Sequence, residues 1–354
     1  MARRRRIAVV PGDGIGQEVI PEGVRLLERL DSSFGLGLEL VDKDWGAERY
    51  LNTGRGMPED ALDDLRENYD AVFFGALGDP RIPDMAHGRE ILLGMRQGLD
   101  LYANVRPIQV MDQKLCPLRD KGPDEVNFVV IRENTEDLYV SMGGRFKAGT
   151  SDEVAIDESM NTYKGVERVV RYAFDYALAN NRKKVTLTDK SNAIRFGGGL
   201  WQRVFREVAA DFPQIDTDHL FVDVAAMEMV RAPERFDVVV ANNLFGDILS
   251  DLGAGLVGSL GLAASANLCP GNIGLFEPVH GSAPDIAGQG KANPLATFLT
   301  AALMLRFLEA GTAATAVDAA VQRAVEEGKV TADLGGTLQT SEVADAVLGY
   351  LQAG

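Results

Sequence analysis

Short runs of β-branched and aromatic residues recur along this chain, and amphipathic stretches separate them. Ile7-Ala8-Val9-Val10, Ala71-Val72-Phe73-Phe74, Phe128-Val129-Val130-Ile131, Lys184-Val185-Thr186-Leu187 and Asp237-Val238-Val239-Val240 read as strands. Helices are expected from the glycine turn at 12–16 to about Leu30, and over Met57–Asn68, Tyr163–Asn180 and Leu200–Asp211. Apolar strands need cover on both faces, so the alternation predicts an α/β protein. The 354 residues suit two domains or one large unit. From about Leu295 the chain reads as helical. No repeat or low-complexity linker marks a boundary.

Charge narrows the function. Lys and Arg number 36 against 52 Asp and Glu, a net of -16, which argues against nucleic acid as the main partner. A small anionic substrate still fits if basic side chains converge locally. Cys116 and Cys269 have no metal or redox spacing, so a reducing cytoplasm is the expected setting. The basic start, Met-Ala-Arg-Arg-Arg-Arg, leads into no apolar signal segment, and no run approaches membrane-spanning length.

Asp247 and Asp251 carry the sharpest chemical signal. They follow the apolar run Phe236 to Ala241 at i,i+4 helical spacing, so both carboxylates share one face. Like charges there repel by a few tenths of a kcal/mol. Their neighbours Leu244, Phe245, Ile248, Leu249 and Leu252 are apolar. A hard divalent cation, Mg²⁺ or Mn²⁺, would resolve the conflict. On that reading, neutralising either acid should not greatly destabilise the metal-free chain. Two solvated surface aspartates are the plain alternative.

Other motifs are weaker alone. Gly12-Asp13-Gly14-Ile15-Gly16 is not the dinucleotide fingerprint, since the spacing is G-x-G-x-G and no well-placed acid closes a βαβ unit. A tight turn feeding a helix explains it. Arg96, Arg106 and Arg132 flank apolar segments and suit bidentate carboxylate recognition, or structural salt bridges. Lys190 directly follows a strand, where α/β proteins place functional groups, and beside cations it could act as a base. Tyr139 is a candidate proton donor.

Taken together, these stretches resemble the β-decarboxylating dehydrogenases: the isopropylmalate, isocitrate, homoisocitrate and tartrate/D-malate enzymes. The resemblance runs through Pro11–Gly16, Asp100–Pro107, Arg132–Glu136, Asp189–Asn192, Asn243–Leu252 and Phe276–Gly288. It implies a two-domain isocitrate/isopropylmalate dehydrogenase-like fold that is not a Rossmann fold. The two chain ends, 1–101 and 258–354, would form one domain with the cofactor cleft. Residues 102–257 would form the second, with the dimer interface. The resemblance also implies a homodimer with shared sites, in which Lys190 and Asp223 enter the neighbour's site while Asp247 and Asp251 stay in their own.

The implied chemistry is oxidation of a 2-hydroxy acid with a carboxylate on C3. Arg96, Arg106 and Arg132 match positions that hold carboxylates. Asp223, Asp247 and Asp251 match metal ligands, and Asp223 also lies by the substrate. The metal would chelate the C1 carboxylate and C2 hydroxyl, and Lys190 would take the hydroxyl proton. Hydride would pass to NAD. Loss of CO₂ gives an enolate, and Tyr139 matches the residue that protonates C3. Glu277, His280, Gly281, Ser282, Ala283, Pro284, Asp285, Ile286 and Asn293 match the cofactor segment. An acid at Asp285 implies NAD, because it can accept from both ribose hydroxyls and would repel a 2′-phosphate.

Leu92 and Leu93 match positions that meet the isopropyl group of isopropylmalate. Arg89 departs from that pattern, which has a glutamate there; it could turn inward, pair with Glu90 or face solvent. Residues 143–150 and 163–168 look closer to the tartrate/D-malate branch. The expectation is an NAD- and metal-dependent 3-isopropylmalate dehydrogenase, with D-malate/tartrate as the alternative substrates. Homoisocitrate, isocitrate and an inactive regulatory paralogue rank lower, since Tyr139, Lys190 and all three aspartates are present.

Overall fold

The computed structural model describes residues 4–351. Its twelve strands are β1 (Arg5–Gly12), β2 (Leu38–Asp42), β3 (Ala71–Ala76), β4 (Ala103–Gln109), β5 (Asn127–Glu133), β6 (Gly143–Phe146), β7 (Val154–Asp157), β8 (Lys184–Asp189), β9 (Asp216–Phe221), β10 (Val238–Ala241), β11 (Ala264–Leu268) and β12 (Gly274–Pro278). The chain divides into two compact units. One takes the chain up to Leu101, Gln109–Pro123 and the chain from Ala254; the other takes Tyr102–Ile108 and Asp124–Gly253.

In the first unit the strand order is β2-β1-β3-β12-β11. The first four run parallel, and β11 is antiparallel to β12. β3 is buried along its whole length, as a strand covered on both faces must be. The helix Gly16–Phe34 buries Val19, Ile20, Gly23, Leu26, Leu27 and Leu30, a spacing that puts them on one face. The helix Leu295–Phe307 is apolar nearly all round and almost wholly buried.

In the second unit the order is β4-β5-β10-β8-β9, with β5, β10, β8 and β9 mutually parallel. The helix Tyr163–Ala179 starts where Thr162 Oγ1 accepts from the Gly165 amide at 2.9 Å, and it buries Val166, Val169, Val170, Ala173, Phe174 and Ala177. β6 and β7 form a separate antiparallel hairpin whose eight residues are all exposed.

Register brings the chemistry to one sheet edge. Ala241 lies opposite both Arg132 and Thr188, and Asp189 lies opposite Phe221. The carboxyl ends of β5, β10, β8 and β9 therefore deliver Arg132, Asn243, Lys190 and Asp223 side by side. In the first unit, Gly12 lies opposite Ala76, and the 12–16 turn leaves from that edge.

Candidate active site

The second unit holds a charge cluster built around the helix Asn243–Leu256. Arg132 is 1% exposed and Arg106 is 7% exposed. A buried guanidinium needs compensation, and each is held through Nε in the same way. Arg132 Nε donates to Asn243 Oδ1 at 2.9 Å, and Arg106 Nε donates to Asn104 Oδ1 at 2.8 Å. The outer nitrogens then turn to the aspartates. Arg132 Nη1 donates to Asp247 Oδ1, Arg106 Nη2 lies 3.3 Å from the same oxygen, and Arg106 Nη1 reaches Asp251 Oδ1 at 3.0 Å. Arg106 Nη1 also donates to Ser250 Oγ at 2.8 Å. Tyr139 donates its hydroxyl to Asp247 Oδ2 at 2.5 Å and lies under the Arg132 guanidinium, 5.0 Å from ring centroid to Cζ.

Close approach makes this possible at Gly246. A Cβ there would come within 2.7 Å of the Arg132 side chain, so only glycine lets the helix lie on the arginine. The spacing correctly placed both aspartates on one partly buried helix. Their mutual repulsion is answered within the chain by two arginines. Desolvation pushes the Asp251 carboxyl above its ordinary value; Asp247 adds to this and Arg106 opposes it.

Lys190 is placed differently from the reading that put it beside cations. Its Nζ lies 2.5 Å from Asp223 Oδ1, because the pairing of Asp189 with Phe221 sets the residues that follow next to each other. That hydrogen bond lowers the Asp223 carboxyl below its ordinary range. Asp189 fixes the turn: its Oδ1 accepts from Ser191 N and Oγ, each at 3.0 Å, and from His219 Nε2 at 2.9 Å.

The first unit carries the other candidates. Gly14, at φ +54°, has no room for a Cβ, which would stand 2.0 Å from Ser282 O. Ile15 N donates to that carbonyl at 2.8 Å, so the glycine turn is fastened to the 280–286 segment. Ala283 and Ile286 pack on Ile15, Val19 and Ala292. Ala283 itself takes φ +38°, left-handed backbone unusual for a side-chain residue and common at ligand sites. Gly281, Pro284 and Asp285 are exposed, and Ser282 is buried. His280 Nδ1 meets Gly281 O at 3.0 Å, which leaves the buried Nε2 as an acceptor with no partner. Burial holds this imidazole below its ordinary pKa.

Asn293 is buried; its Oδ1 accepts from Leu295 N at 3.0 Å and its Nδ2 donates to Asp333 at 3.0 Å, so it shapes the turn that leads into the following helix. Glu277 accepts from Arg96 Nη2 and from Asn267 Nδ2, both at 2.9 Å, while Arg96 Nε is buried with no partner.

Arg96 lies in the last turn of a helical segment that comprises Ala86–Gly88, a π-helical turn Arg89–Leu93 and Gly94–Gly98. Leu92 is partly buried and packs on the unit's core, and Leu93 is half-buried. Arg89 takes neither the inward course nor the Glu90 pairing. It is exposed and donates to Asp84 O at 2.5 Å, while Glu90 accepts from Gly56 N at 2.9 Å. At the other end of the segment, His87 is 0% exposed and its Nε2 lies 2.9 Å from Asp13 Oδ2. Asp13 also accepts from Ala47 N at 2.7 Å and Gly78 N at 2.9 Å.

Both absent groups can be weighed against these residues. Asp247 and Asp251 offer hard oxygen donors on one helix face, as Mg²⁺ or Mn²⁺ requires. Among the described residues, no three His, Cys, Asp or Glu side chains gather closely enough to hold a metal. Asp223 is committed to Lys190 within the chain. A dinucleotide fits the first unit, where His280 Nε2 is an orphaned buried acceptor and Asp285, five residues on, is exposed.

Sequence reasoning gave no role to Asn104, Asn243 or Ser250, although all three lie inside quoted motifs. A buried arginine's need for partners was the available signal. Asp13 and His87 were also missed; a histidine among apolar neighbours, in a chain with only three, was the hint.

The family model described as Isocitrate/isopropylmalate dehydrogenase matches residues 6–347. The chain is 45% identical over 348 residues to a 3-isopropylmalate dehydrogenase of Thermobifida fusca, covering 98% of this chain and 97% of the relative. It is 43% identical over 356 residues to the D-malate dehydrogenase (decarboxylating) of Escherichia coli, covering 98% of each. A crystal structure of isocitrate dehydrogenase from Methylococcus capsulatus superposes with a TM-score of 0.89 at 39% identity, covering 98% of this chain and 99% of that one.

Proposed function

The chain belongs to the isocitrate/isopropylmalate dehydrogenase family, an oxidoreductase family, and on that premise we propose that it oxidises and decarboxylates a 3-substituted malate. The proposed reaction converts 3-isopropylmalate to 2-oxoisocaproate, a step of leucine biosynthesis, with NAD and Mg²⁺ or Mn²⁺. One observation carries this reading. Two buried arginines, each fastened through Nε, face two carboxylates on one helix, and the Tyr139 phenol joins them from a separate turn. That is a site for an anionic acid and a cation together.

In this reading Arg96, Arg106 and Arg132 hold the substrate's carboxylates. Lys190 receives the C2 hydroxyl proton, and Tyr139 returns a proton to C3 after CO₂ leaves. Asp223, Asp247 and Asp251 would hold the metal, which would supply Lewis acidity toward the substrate's hydroxyl. NAD, held along 280–286 with Asp285 at the ribose, supplies the hydride acceptor. Leu92 and Leu93 meet the substituent on C3. Residues 1–101 with 258–354 act as the cofactor domain, and 102–257 as the dimerising domain, in a cytoplasmic enzyme.

A homodimer with shared sites is part of the proposal. Among the described residues, Asp223 does not gather with Asp247 and Asp251 into a metal-sized group within one chain, which fits a ligand supplied by a neighbour. The apolar residues left exposed also fit a dimer: Phe146 at 68%, Val154 and Ile156 on the hairpin, and Met227, Val230 and Ile248 on helices. An isolated two-stranded hairpin is marginal in water without something to pack on. Among the described residues, no helix is long and apolar enough to cross a membrane.

D-malate or tartrate oxidation is the second reading, and the near-equal identities of 45% and 43% to the two kinds of relative support it. A panel of 3-isopropylmalate, D-malate, tartrate, isocitrate and homoisocitrate with NAD and Mn²⁺, followed by NADH absorbance, separates them. Burying an isopropyl group is worth roughly 1.5–3 kcal/mol, so 3-isopropylmalate should lead in kcat/KM by at least about tenfold. A leading D-malate rate overturns the substrate assignment. Full turnover in excess chelator overturns the metal.

A further inference from the structure

The pair Asp13–His87 lies outside the chemistry assigned above, yet it joins two parts of the first unit that the chemistry uses. Asp13 belongs to the glycine turn, and that turn is fastened to Ser282. His87 belongs to the helical segment that carries Leu92, Leu93 and Arg96. Both side chains are buried, and the ring meets the carboxylate at 2.9 Å. A ring nitrogen facing a carboxylate carries the proton, so Nε2 donates. The other ring nitrogen, Nδ1, is buried with no partner.

Packing alone does not call for such a residue. A leucine would fill similar space without a buried polar ring. The histidine's distinctive contribution is its bond to Asp13. That carboxylate already organises its surroundings, through the amides of Ala47 and Gly78. Gly78 in turn lies against Ser282: a Cβ on it would come within 2.7 Å of Ser282 Oγ. A continuous set of contacts thus runs from the 280–286 segment through the glycine turn and Asp13 to His87. Beyond His87 the helix continues through the π-helical turn to Arg96. A π-helical turn is a weak point in helical hydrogen bonding, so the segment beyond it depends on how its start is anchored.

We propose that His87, held by Asp13, is a positioning residue that couples cofactor seating at the glycine turn to binding of the organic acid by the Leu92–Arg96 segment. The inference rests on the reading that 280–286 takes NAD and that Arg96 takes a substrate carboxylate. Coupling of this kind is reciprocal: each ligand tightens the other by the same factor.

The test compares wild type, His87→Leu and His87→Gln in the full chain. Glutamine places an amide N–H near the position of Nε2, while leucine only fills space. NADH affinity is read by fluorescence with and without D-malate or 3-isopropylmalate, in Mn²⁺, and steady-state kinetics give KM and kcat. In His87→Leu the coupling factor should fall at least about fivefold, and KM for the acid should rise about tenfold with kcat within about threefold. His87→Gln should stay within about threefold of wild type in both. Wild-type behaviour in His87→Leu, an equal defect in His87→Gln, a fall in kcat with unchanged KM, or a wild type without coupling overturns the proposal. Should His87→Leu not fold, His87→Asn, whose amide stops short of Asp13, takes its place. Arg96→Ala separates the two levels. If it leaves the acid KM unchanged, the underlying reading fails and the proposal falls with it. If it raises that KM while His87→Leu does not, only the coupling fails.

Discussion

The candidate groups of the two units solve opposite problems. In the second unit every strong charge is already answered: Asp247 by Arg132, Arg106 and Tyr139, Asp251 by Arg106, and Lys190 by Asp223. Buried polar atoms without partners occur in both units, Asp189 Oδ2 among them in the second, but in the first they belong to candidate binding groups, His280 Nε2 and Arg96 Nε, and Asp285 stands exposed. One half must exchange existing ion pairs for a ligand; the other need only receive one. Internal compensation keeps buried charges tolerable before binding, but it ties stability to the same groups that bind. An orphaned acceptor costs stability in the free protein and recovers it on binding.

Substitutions in the compensated half should therefore disturb fold and function together. Asp247→Asn and Asp251→Asn should each lower kcat/KM by more than about a hundredfold, since a neutral amide is a poor partner for a hard cation. Their stabilities should part. Asp247→Asn weakens the compensation of a buried guanidinium and should cost about 1–3 kcal/mol in a metal-free thermal melt. Asp251→Asn, at a more exposed position, should cost less than about 1 kcal/mol. The expectation drawn from spacing, that neutralising either acid spares the fold, is therefore kept as the prediction for Asp251 and revised for Asp247. Equal melting temperatures for the two variants would break the contrast.

The next effect tests whether the compensated half is complete in one chain. Lys190→Ala and Asp247→Asn should each be nearly inactive. After subunit exchange, random pairing should return activity at about a quarter of the sites, because half the dimers are mixed and each mixed dimer has one intact site. No recovery, with the mixed dimer confirmed by mass, rejects shared sites.

The open half should respond more gently. NAD should exceed NADP by at least about tenfold in kcat/KM, one charge conflict at Asp285 being worth about 1.4 kcal/mol. Equal use of both cofactors would remove Asp285 from the ribose. His280→Ala should raise KM for NAD about fivefold, the value of one ordinary hydrogen bond. It should change the melting temperature little, because Nε2 makes no bond in the protein and the ring's one bond, from Nδ1, is only to the adjacent Gly281 carbonyl. A large loss of stability there would mean that the two halves are not built differently after all.

What sequence could show follows the range of each interaction. The parallel strands announced themselves by local composition, and so did the i,i+4 aspartates. The helix expected from Met57 begins only at Ala61, because Pro58, Glu59 and Asp60 form a turn first. The helix expected from Leu200 begins at Arg195; three consecutive glycines, 197–199, disguise its first turn. β9 was not expected, since Asp216-Thr217-Asp218-His219 is polar, as an exposed edge strand can be. β4 contains Pro107, which demotes a strand reading. The π-helical turn at 89–93 has no local mark. In the site, residue types were legible, but pairings were not. Nothing local says that Lys190 finds Asp223 or that Arg89 finds Asp84; those follow from strand register and loop course.

The fastening of Arg106 and Arg132 through Nε constrains how this chain can vary. A lysine at either place would keep the charge but give the asparagine no N–H at that depth to grip. Its ammonium would turn freely about a flexible stem. Each arginine thus works as a unit with its asparagine, Arg106 with Asn104 and Arg132 with Asn243. A single exchange to lysine breaks the unit, and so does loss of the amide alone. The path to a different side chain at either position runs through two changes, with the intermediate worse than both ends.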